Sequence, residues 1–346
     1  MRRPAPLTHA AETDPATWDA LVDEAPGATV FHTRAWGEIW VAEWPGTRWQ
    51  ALVMPGASAE GLASAGGFAA ALPFVVRDGV LGRSVLSMPY GTYGGPIVRP
   101  GLSDAGNARR ALLEGFGQVC REGPLRRAEL AWYEGERADV PAALECEPAT
   151  THVRALSPDF EALLRALPLS VRSRVRQAET GRLTMRRGRG PGDVAAFHGL
   201  AERTMRRRGG KPKPRSLYER IVERMAPSGL ARLDVVEYEG VIIAGSLHFT
   251  HRGVATNWLT VADETRLVLR PNHLILARVM RELCEAGFHT YNFGASPARA
   301  AGLVRFKEDW GGTRRLVLDV QYRSLLHRFL RRERPPQPPH PPGAPP

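Results

Sequence analysis

Residues 271–312 read PNHLILARVMRELCEAGFHTYNFGASPARAAGLVRFKEDWGG and carry the clearest structural signals in the chain. Pro271 begins a stretch with helical periodicity, as expected for proline in the first turn of a helix. A short strand follows and ends at Phe293, and a loop is predicted to lead on to Phe306 and Lys307. The stretch therefore predicts a helix, a strand and a loop that carries a lysine.

Lysine is rare in this sequence. Only three of the 47 basic residues are lysines, namely Lys211, Lys213 and Lys307. A lysine kept in an arginine-rich chain suggests a need for a compact, rotatable ammonium group rather than a planar guanidinium group. The alternative is that one of three lysines falls in this stretch by chance. Composition alone does not separate the two.

Three strand-like runs precede the helix, at residues 231–238, 241–251 and 254–260, and turn residues separate them. A last strand is predicted at 316–322. The helix that begins around Asn272 follows the antiparallel strands and offers free backbone amides to an anion. A lysine close to such a site could stabilise a developing oxyanion, which is the arrangement needed for acyl transfer to an amine.

A second informative stretch, LSVRSRVRQAETG, occupies residues 169–181. Its valines and an alanine form an apolar stripe with helical spacing. Arg172 and Arg176 lie four residues apart on an adjacent face of the predicted helix. Two arginines in one row can bind a phosphate or a carboxylate through paired hydrogen bonds. The alternative is an ordinary solvated helix face.

Two stretches of the first half also stand out, FHTRAW at 31–36 and PYGTYGGPIV at 89–98. The glycines of the second stretch allow a close backbone approach, and its tyrosines offer rings with hydroxyl groups. A tight loop between strands would need the same glycines. Trp36 belongs to a set of tryptophans at helical spacing, and such stripes usually lie in a core.

Charge is distributed unevenly over the 346 residues, a length that suggests roughly two domains. Residues 1–150 contain 13 basic and 18 acidic residues, a net charge of −5, whereas residues 151–346 contain 34 and 18, a net charge of +16. This asymmetry predicts an anionic partner for the second half, such as a diphosphate, a nucleic acid or a membrane surface. The alternative is an arginine-rich solvated face.

Several classes of protein are excluded by missing motifs. The sequence contains no GxSxG, no GxxxxGK[ST], no HExxH and no paired CxxC, so no metal site is predicted. The three cysteines are widely spaced and indicate reduced thiols in a cytoplasmic protein. The N-terminus lacks the apolar core of a signal peptide, and no run of about 18 apolar residues predicts a membrane span.

The end of the chain changes character. Residues 323–332 are predicted to form a short basic amphipathic helix that could contact the inner face of a membrane. Beyond them, residues 331–346 are rich in proline and are predicted to be a disordered tail.

Taken in their order, these motifs resemble the FemAB-like, peptidoglycan bridge-forming branch of the GNAT acyltransferase superfamily. The matching segments are VRSRVRQAETG, FHGLAERTMRRRGG, RPNHLILARVMRELCEAGFHTYNFGAS and GLVRFKEDWGG, with FHTRAW and PYGTYGGPIV as weaker signals. The resemblance implies an α/β fold of tandem GNAT-like lobes, each a mostly antiparallel sheet flanked by helices. We therefore expect a first lobe at 1–150 that forms the edge of the acceptor cleft, and a second lobe at 151–330 that holds the acyl-transfer site.

The resemblance also implies a reaction, in which an amino acid passes from aminoacyl-tRNA to an amine of a peptidoglycan precursor. It assigns roles to residues of this chain. The family's Phe-Lys pair falls on Phe306 and Lys307, and the lysine would stabilise charge at the reacting ester. Arg172 and Arg176 match the helix that meets the precursor's diphosphate. The first-lobe edge of the substrate cleft is matched by Trp36, Tyr93 and Gly94.

Two departures leave the donor open. CoA-dependent GNAT enzymes carry an R/Q-x-x-G-x-G/A loop, whereas residues 266–272 read RLVLRPN without a glycine. No long pair of heptad helices resembles the arm that some relatives use on tRNA. The leading hypothesis is an N-acyl- or aminoacyltransferase acting on a diphosphate-linked envelope precursor, of peptidoglycan or exopolysaccharide, with no bound cofactor and with aminoacyl-tRNA or acyl-CoA as donor.

Two alternative functions are an acyl-CoA-dependent acetyltransferase for an amino sugar or small amine, and a catalytically silent RNA-binding protein. The general base is not identified, and Asp263, Tyr291 and Asp309 are the candidates.

Overall fold

A computed structural model of the chain describes residues 8–10, 14–56, 67–80, 82–90, 92–296 and 300–322. The predicted helix and contact surface at 323–332 and the tail at 331–346 lie outside these residues. Within the described part, no helix is both long enough and apolar enough to cross a membrane.

The α-helices of the described residues flank one large sheet. They are α1 (Pro15–Glu24), α2 (Arg34–Glu43), α3 (Ala105–Val119), α4 (Phe160–Arg165), α5 (Leu169–Thr180), α6 (Pro191–Arg207), α7 (Arg215–Met225), α8 (Pro271–Glu285) and α9 (Ala301–Asp309).

The strands of the described residues form that single mixed sheet. They are β1 (Thr8–Ala10), β2 (Thr47–Pro55), β3 (Phe68–Arg77), β4 (Arg83–Ser87), β5 (Tyr93–Gly94), β6 (Ile97–Val98), β7 (Leu125–Tyr133), β8 (Glu145–Ala155), β9 (Leu183–Arg187), β10 (Ala231–Tyr238), β11 (Val241–His251), β12 (Val254–Ala262), β13 (Thr290–Ala295) and β14 (Thr313–Gln321).

The strand order shows how the two halves of the chain are joined. It runs β1-β2-β3-β4-β7-β14-β8-β13-β12-β11-β10-β9, with β5 beside β7 and β6 beside β3. Most neighbours are antiparallel, but β4 and β5 pair with β7 in parallel, and β12 pairs with β13 in parallel. Strand β14, the last in sequence among the described residues, therefore lies in the middle of the sheet. Strand β8 runs through residue 150, where a boundary between lobes was predicted, and the sheet is continuous there.

The hydrophobic core is also shared between the halves. Trp36 and Trp40 of α2 belong to the same buried cluster as Tyr218 of α7 and Phe249 of β11. The Trp36 ring packs edge to face against the Phe249 ring, with 5.1 Å between the ring centroids. Burial of large aromatic side chains is the strongest apolar contribution available to such a contact. It fixes the first half of the chain against the second.

The prediction of an α/β fold with a mixed, mostly antiparallel sheet flanked by helices is confirmed. So are the three strands before α8, the helix beginning at Pro271 and the following strand. The predicted loop around Phe306 and Lys307 is wrong, because both residues lie on α9. Leu303, Phe306 and Trp310 have the i, i+3, i+7 spacing of a short amphipathic helix, which explains the difference.

Candidate active site

A pocket of about 390 Å³ opens where the parallel strands β12 and β13 part. The pairing of these strands runs from Val254 and Thr290 to Thr256 and Asn292, and stops there. Beyond that point the two strands line the pocket together with the first turns of α8, with α9 and with the residue after α6. The lining residues are Arg208, Asn257, Trp258, Leu259, Thr260, Asn272, Leu276, Phe293, Gly294, Ala295, Leu303, Phe306 and Lys307.

A local irregularity in β13 accompanies this separation. The register with β8 shifts between Asn292 and Ala295, and Gly294 has a positive φ of 76°. The Asn292 side-chain oxygen accepts a hydrogen bond from the Gly294 amide at 2.8 Å. A β-carbon at Gly294 would lie 2.6 Å from the backbone oxygen of Asn257 on the facing strand. Glycine is therefore required here both by the backbone angle and by the close approach.

Lys307 reaches the pocket from α9 and is 4% exposed. Its Nζ donates hydrogen bonds to the backbone oxygens of Gly294 and Ala295, at 2.8 and 2.6 Å, and to the Ser296 hydroxyl at 3.0 Å. These three acceptors satisfy all three N–H groups of an ammonium ion. Burial nevertheless lowers the pKa of Lys307 to about 8, because the charged form loses its hydration. The lysine therefore remains mostly charged at neutral pH but loses its proton at a lower pH than an ordinary lysine.

This shift predicts how stability depends on pH. Below pH 8 the folded and unfolded chains both carry the lysine proton, and the full cost of burying the charge is present. Between about pH 8 and the ordinary lysine pKa of 10.5, the unfolded chain binds a proton that the folded chain has lost. The free energy of unfolding therefore rises with pH in this window. Between pH 8 and 10.5, we expect the free energy of unfolding of the wild type to rise by on the order of 3 kcal/mol relative to that of Lys307→Met.

Urea unfolding of both proteins at several pH values from 7 to 11 measures this difference. The other ionisable groups are common to the two proteins and cancel in the comparison. A difference that stays constant with pH, or falls, would contradict the prediction.

Asn272 and Phe306 line the pocket together with Lys307, and their roles in binding and catalysis stay predictions. Asn272 is the second residue of α8, where a backbone N–H has no partner within the helix. Its side-chain oxygen is buried and has no hydrogen-bond partner among the described residues. The Phe306 ring packs against that of His273, with centroids 5.6 Å apart. Asn272 therefore presents unsatisfied polar groups to a ligand, and Phe306 supplies an apolar wall.

The pocket is also electropositive. Both ionisable side chains of its described lining, Arg208 and Lys307, are basic. Arg208 is the exposed residue that caps the C-terminal end of α6. A positive helix N-terminus at α8 adds to this potential. The arrangement is suited to a ligand that is anionic or that develops negative charge.

Two candidates from the first half of the chain, Trp36 and Gly94, do not belong to the described lining of the pocket. Trp36 has no exposed surface in the described structure, and a contact between Trp36 and substrate stays a prediction. Its ring packs behind Trp258, a pocket wall, with centroids 6.0 Å apart. Gly94 is buried in β5, and a side chain there would collide with Ser87. Both residues support the fold around the site rather than lining the pocket.

Tyr93 reaches the site indirectly. Its hydroxyl is buried and donates to the Thr151 hydroxyl at 2.7 Å. Thr151 in turn donates to the backbone oxygen of Gly294 at 2.8 Å, and the same oxygen accepts a bond from Lys307. Tyr93 therefore helps to hold the irregular end of β13, and it does not belong to the described lining of the pocket.

Arg172 and Arg176 lie on α5, which packs against α8, but neither belongs to the pocket lining. Arg176 is exposed. Arg172 is half-buried, and its Nε atom has no hydrogen-bond partner among the described residues. A contact between these arginines and an anionic part of a substrate remains a prediction.

The candidate bases are also away from the described lining. Tyr291 is fully buried, and its hydroxyl lies 2.9 Å from His248 Nε2 and 3.1 Å from Asn257 Nδ2. Asp263 accepts hydrogen bonds from Thr265 at the turn before α8. None of the three candidates, Asp309 included, faces the pocket in the described part of the chain. A role as general base for any of them stays a prediction.

Four functional candidates were missed by the sequence patterns: Arg208, Asn257, His152 and Ser296. Arg208 follows two other arginines, and nothing in that run distinguishes it. His152 is a single histidine on β8, 144 residues from Ser296, and the hydroxyl of Ser296 lies 2.7 Å from its Nδ1. Only a known strand pairing between β8 and β13 could have brought them together.

Among the described residues, no group of three or more histidine, cysteine, aspartate or glutamate side chains is arranged to hold a metal ion.

Comparison with known proteins agrees with this geometry. Residues 169–308 match the family model described as an acetyltransferase (GNAT) domain. The match spans α5 to α9 and includes the whole described pocket lining. It confirms the prediction of an acyltransferase. No curated protein matches the chain.

Solved structures share the fold over nearly the whole chain. The structure of FemX has a TM-score of 0.66 at 14% sequence identity and covers 94% of this chain and 99% of its own. A tandem GNAT protein from the clavulanic acid biosynthesis pathway has a TM-score of 0.55 at 16% identity, with 92% and 99% covered. The C-terminal domain of a putative lysylphosphatidylglycerol synthetase from Agrobacterium fabrum has a TM-score of 0.52 at 14% identity, with 92% and 94% covered. The predicted FemAB-like, tandem GNAT fold is confirmed.

Proposed function

We propose that this chain, which carries a GNAT acetyltransferase domain in a FemX-like fold, transfers an acyl or aminoacyl group to an amine of a cell-envelope precursor. The precursor is of the peptidoglycan or exopolysaccharide type and is linked to a diphosphate. The observation that carries the proposal is the electropositive pocket between β12 and β13, with Lys307 buried at its wall.

In this proposal the activated acyl group lies between the parted strands. The amine of the acceptor attacks the acyl carbon, a C–N bond forms, and the carbonyl oxygen becomes an oxyanion. Lys307 stabilises that charge. In the free protein the three N–H groups of Lys307 donate hydrogen bonds to three protein acceptors. The oxyanion must therefore take the place of one of these acceptors. Ala295 is the exposed member of the three and lines the pocket, which makes its backbone oxygen the acceptor to be replaced.

The substrate's anionic part has two proposed contacts. Arg208 lies at the mouth of the pocket and is exposed. Arg172 and Arg176 lie on α5, whose neighbour α8 begins at the pocket with Asn272. Guanidinium groups bind phosphate oxygens through paired, charge-assisted hydrogen bonds. The names FemX and lysylphosphatidylglycerol synthetase support envelope chemistry and aminoacyl transfer for two proteins of this fold.

Mass spectrometry of envelope precursors tests this function directly. Cells with the wild-type protein should contain a precursor that is heavier by one acyl or aminoacyl group than the precursor in cells without it. Cells that produce the Lys307→Met variant at the same level should resemble the deletion. An unchanged set of precursor masses would contradict the proposal.

A second candidate is an acyl-CoA-dependent acetyltransferase for an amino sugar or small amine, and the match to an acetyltransferase domain favours it. The start of α8 argues against it. A 3₁₀ turn at Glu264–Leu269 and a left-handed Arg270 stand where the family's glycine loop would bind a pyrophosphate.

Thermal unfolding with acetyl-CoA separates the two donors. At 100 times its dissociation constant, a ligand of the native state stabilises it by about 2.7 kcal/mol. For a protein that uses aminoacyl-tRNA, we expect no stabilisation by acetyl-CoA or longer acyl-CoAs at millimolar concentration. A rise in melting temperature that saturates with acetyl-CoA would replace the first candidate by the second.

A further inference from the structure

A chain of buried polar groups leads from Lys307 away from the pocket. Lys307 Nζ lies 3.0 Å from the Ser296 hydroxyl, which lies 2.7 Å from His152 Nδ1. Ser296 is 7% exposed and His152 is not exposed at all. Each distance is that of a hydrogen bond. The three groups therefore form a continuous hydrogen-bonded path inside the protein.

The far end of this path lies beside an exposed carboxylate. His152 Nε2 lies 3.6 Å from a carboxylate oxygen of Glu308, whose side chain is 41% exposed. The same oxygen accepts hydrogen bonds from Arg314 at 2.9 and 3.0 Å. His152 Nε2 is otherwise without a hydrogen-bond partner among the described residues. Burial, and then the nearby Lys307 ammonium group, lower the pKa of His152, and Glu308 opposes that shift from the side of the outer nitrogen.

The path can exist in two arrangements of protons with the same heavy-atom positions. In the first, an ammonium N–H of Lys307 donates to Ser296, and the Ser296 O–H donates to His152. In the second, His152 Nδ1–H donates to Ser296, and the Ser296 O–H donates to a neutral Lys307. A hydroxyl is both donor and acceptor, which allows the change without movement of the side chains. Serine at this position is therefore chemically suited to pass a proton in either direction.

We propose that Ser296 and His152 are positioning residues that form a proton relay, through which Lys307 regains a proton from the surface side of the protein. The relay rests on the proposed function of Lys307 in acyl transfer. When the acceptor amine attacks, the C–N bond forms and the bond from the acyl carbon to its leaving oxygen or sulfur breaks. The leaving atom takes a proton from Lys307 Nζ.

Lys307 is charged before the reaction: a neutral Nζ takes the hydroxyl proton of Ser296, Ser296 takes the Nδ1 proton of His152, and His152 takes a proton at Nε2, on the side of Glu308. After the leaving atom has taken a proton from Nζ, Nζ takes the proton that the attacking amine loses. The relay then runs in reverse, so that Nζ returns a proton through Ser296 to Nδ1 and His152 releases its Nε2 proton. The imidazole is back in its Nδ1–H form, and one proton has entered and one has left in each turnover. The value of the relay is that it works while substrate and product fill the pocket and exclude water from the lysine.

Exchange of the Lys307 ammonium protons with water tests the relay without any substrate. The chain contains three lysines, so ¹⁵Nζ-labelling of lysine gives a simple NMR spectrum, in which Lys307→Met identifies the signal of Lys307. At pH 6 the group is in its ammonium form. We expect Ser296→Ala and His152→Gln to slow this exchange about tenfold or more, as on loss of a positioned acid–base partner. Ser296→Thr, which keeps a hydroxyl, should restore it.

The opposite result follows from a purely structural role. If Ser296 and His152 only hold the lysine in place, their loss loosens the ammonium group and speeds its exchange with water. Faster or unchanged exchange in both variants, each shown by circular dichroism to be folded, would overturn the relay. The proposed function fails separately: in that case the exchange slows as expected in both variants, but the wild-type protein itself does not convert the envelope precursor.

Discussion

Lys307→Met is expected to lower the turnover of acyl transfer about 10²–10³-fold, the loss seen when one donor to a developing oxyanion is removed. Methionine keeps the unbranched apolar stem in the buried site and removes the charge together with its three hydrogen bonds. The substrates bind mainly through other groups of the pocket, so their affinities should change little. The measurement is a comparison of kcat and KM with the precursor identified by mass spectrometry.

Lys211→Met is the matched control, because Lys211 is an exposed lysine of the α6–α7 loop and lies outside the described pocket lining. It should have wild-type turnover. Equal activity of the two variants would remove Lys307 from the chemistry. A rise in KM without a fall in kcat would limit it to binding.

Gly294→Ala is expected to reduce both stability and activity strongly. The new β-carbon would lie 2.6 Å from the backbone oxygen of Asn257, and alanine is strained at a φ of 76°. The strands must move apart or the backbone must rotate, and either change displaces the carbonyl oxygen that accepts from Lys307. A displacement of about 1 Å in a catalytic group can cost about 10²-fold in rate. Chemical denaturation and the same kinetic assay measure the two effects.

Gly287→Ala is the control that separates the strain of a positive φ from the steric clash with Asn257. Gly287 has a nearly identical φ of 78°, but a β-carbon there would meet nothing within 4 Å. This control should lose only about 1 kcal/mol of stability, the cost of the backbone angle, and it should keep full activity. If Gly294→Ala were no more damaging than Gly287→Ala, the close contact between β12 and β13 would not matter for the site.

The second half of the fold could be predicted because its signals are local. Alternating runs with turns between them predict β10 to β12, and proline with helical spacing predicts α8. Lys307 could be identified as a candidate because lysine is rare in this chain, although the helix that carries it was not predicted. Only nine residues form α9, so its apolar spacing has little length in which to repeat.

Other parts of the site depend on contacts between distant residues. His152 is a candidate only because β8 pairs with β13, which places it beside Ser296. Trp36 shows the opposite limitation. Its spacing predicts a helix correctly, and the family motif suggests a cleft, but burial depends on the packing of α2 against residues more than 180 positions away.

The central position of β14 has a consequence for biosynthesis. Strands β7 and β8 of the first half are separated by a gap that Thr313–Gln321 fills, with antiparallel partners on both sides. A ribosome delivers these nine residues only after all the other described helices and strands. Until then, β7 and β8 each expose an unpaired edge, and such edges promote association between chains. The nascent protein should therefore depend on chaperones until β14 emerges, and a chain that stops before residue 313 should aggregate rather than fold as a half-enzyme.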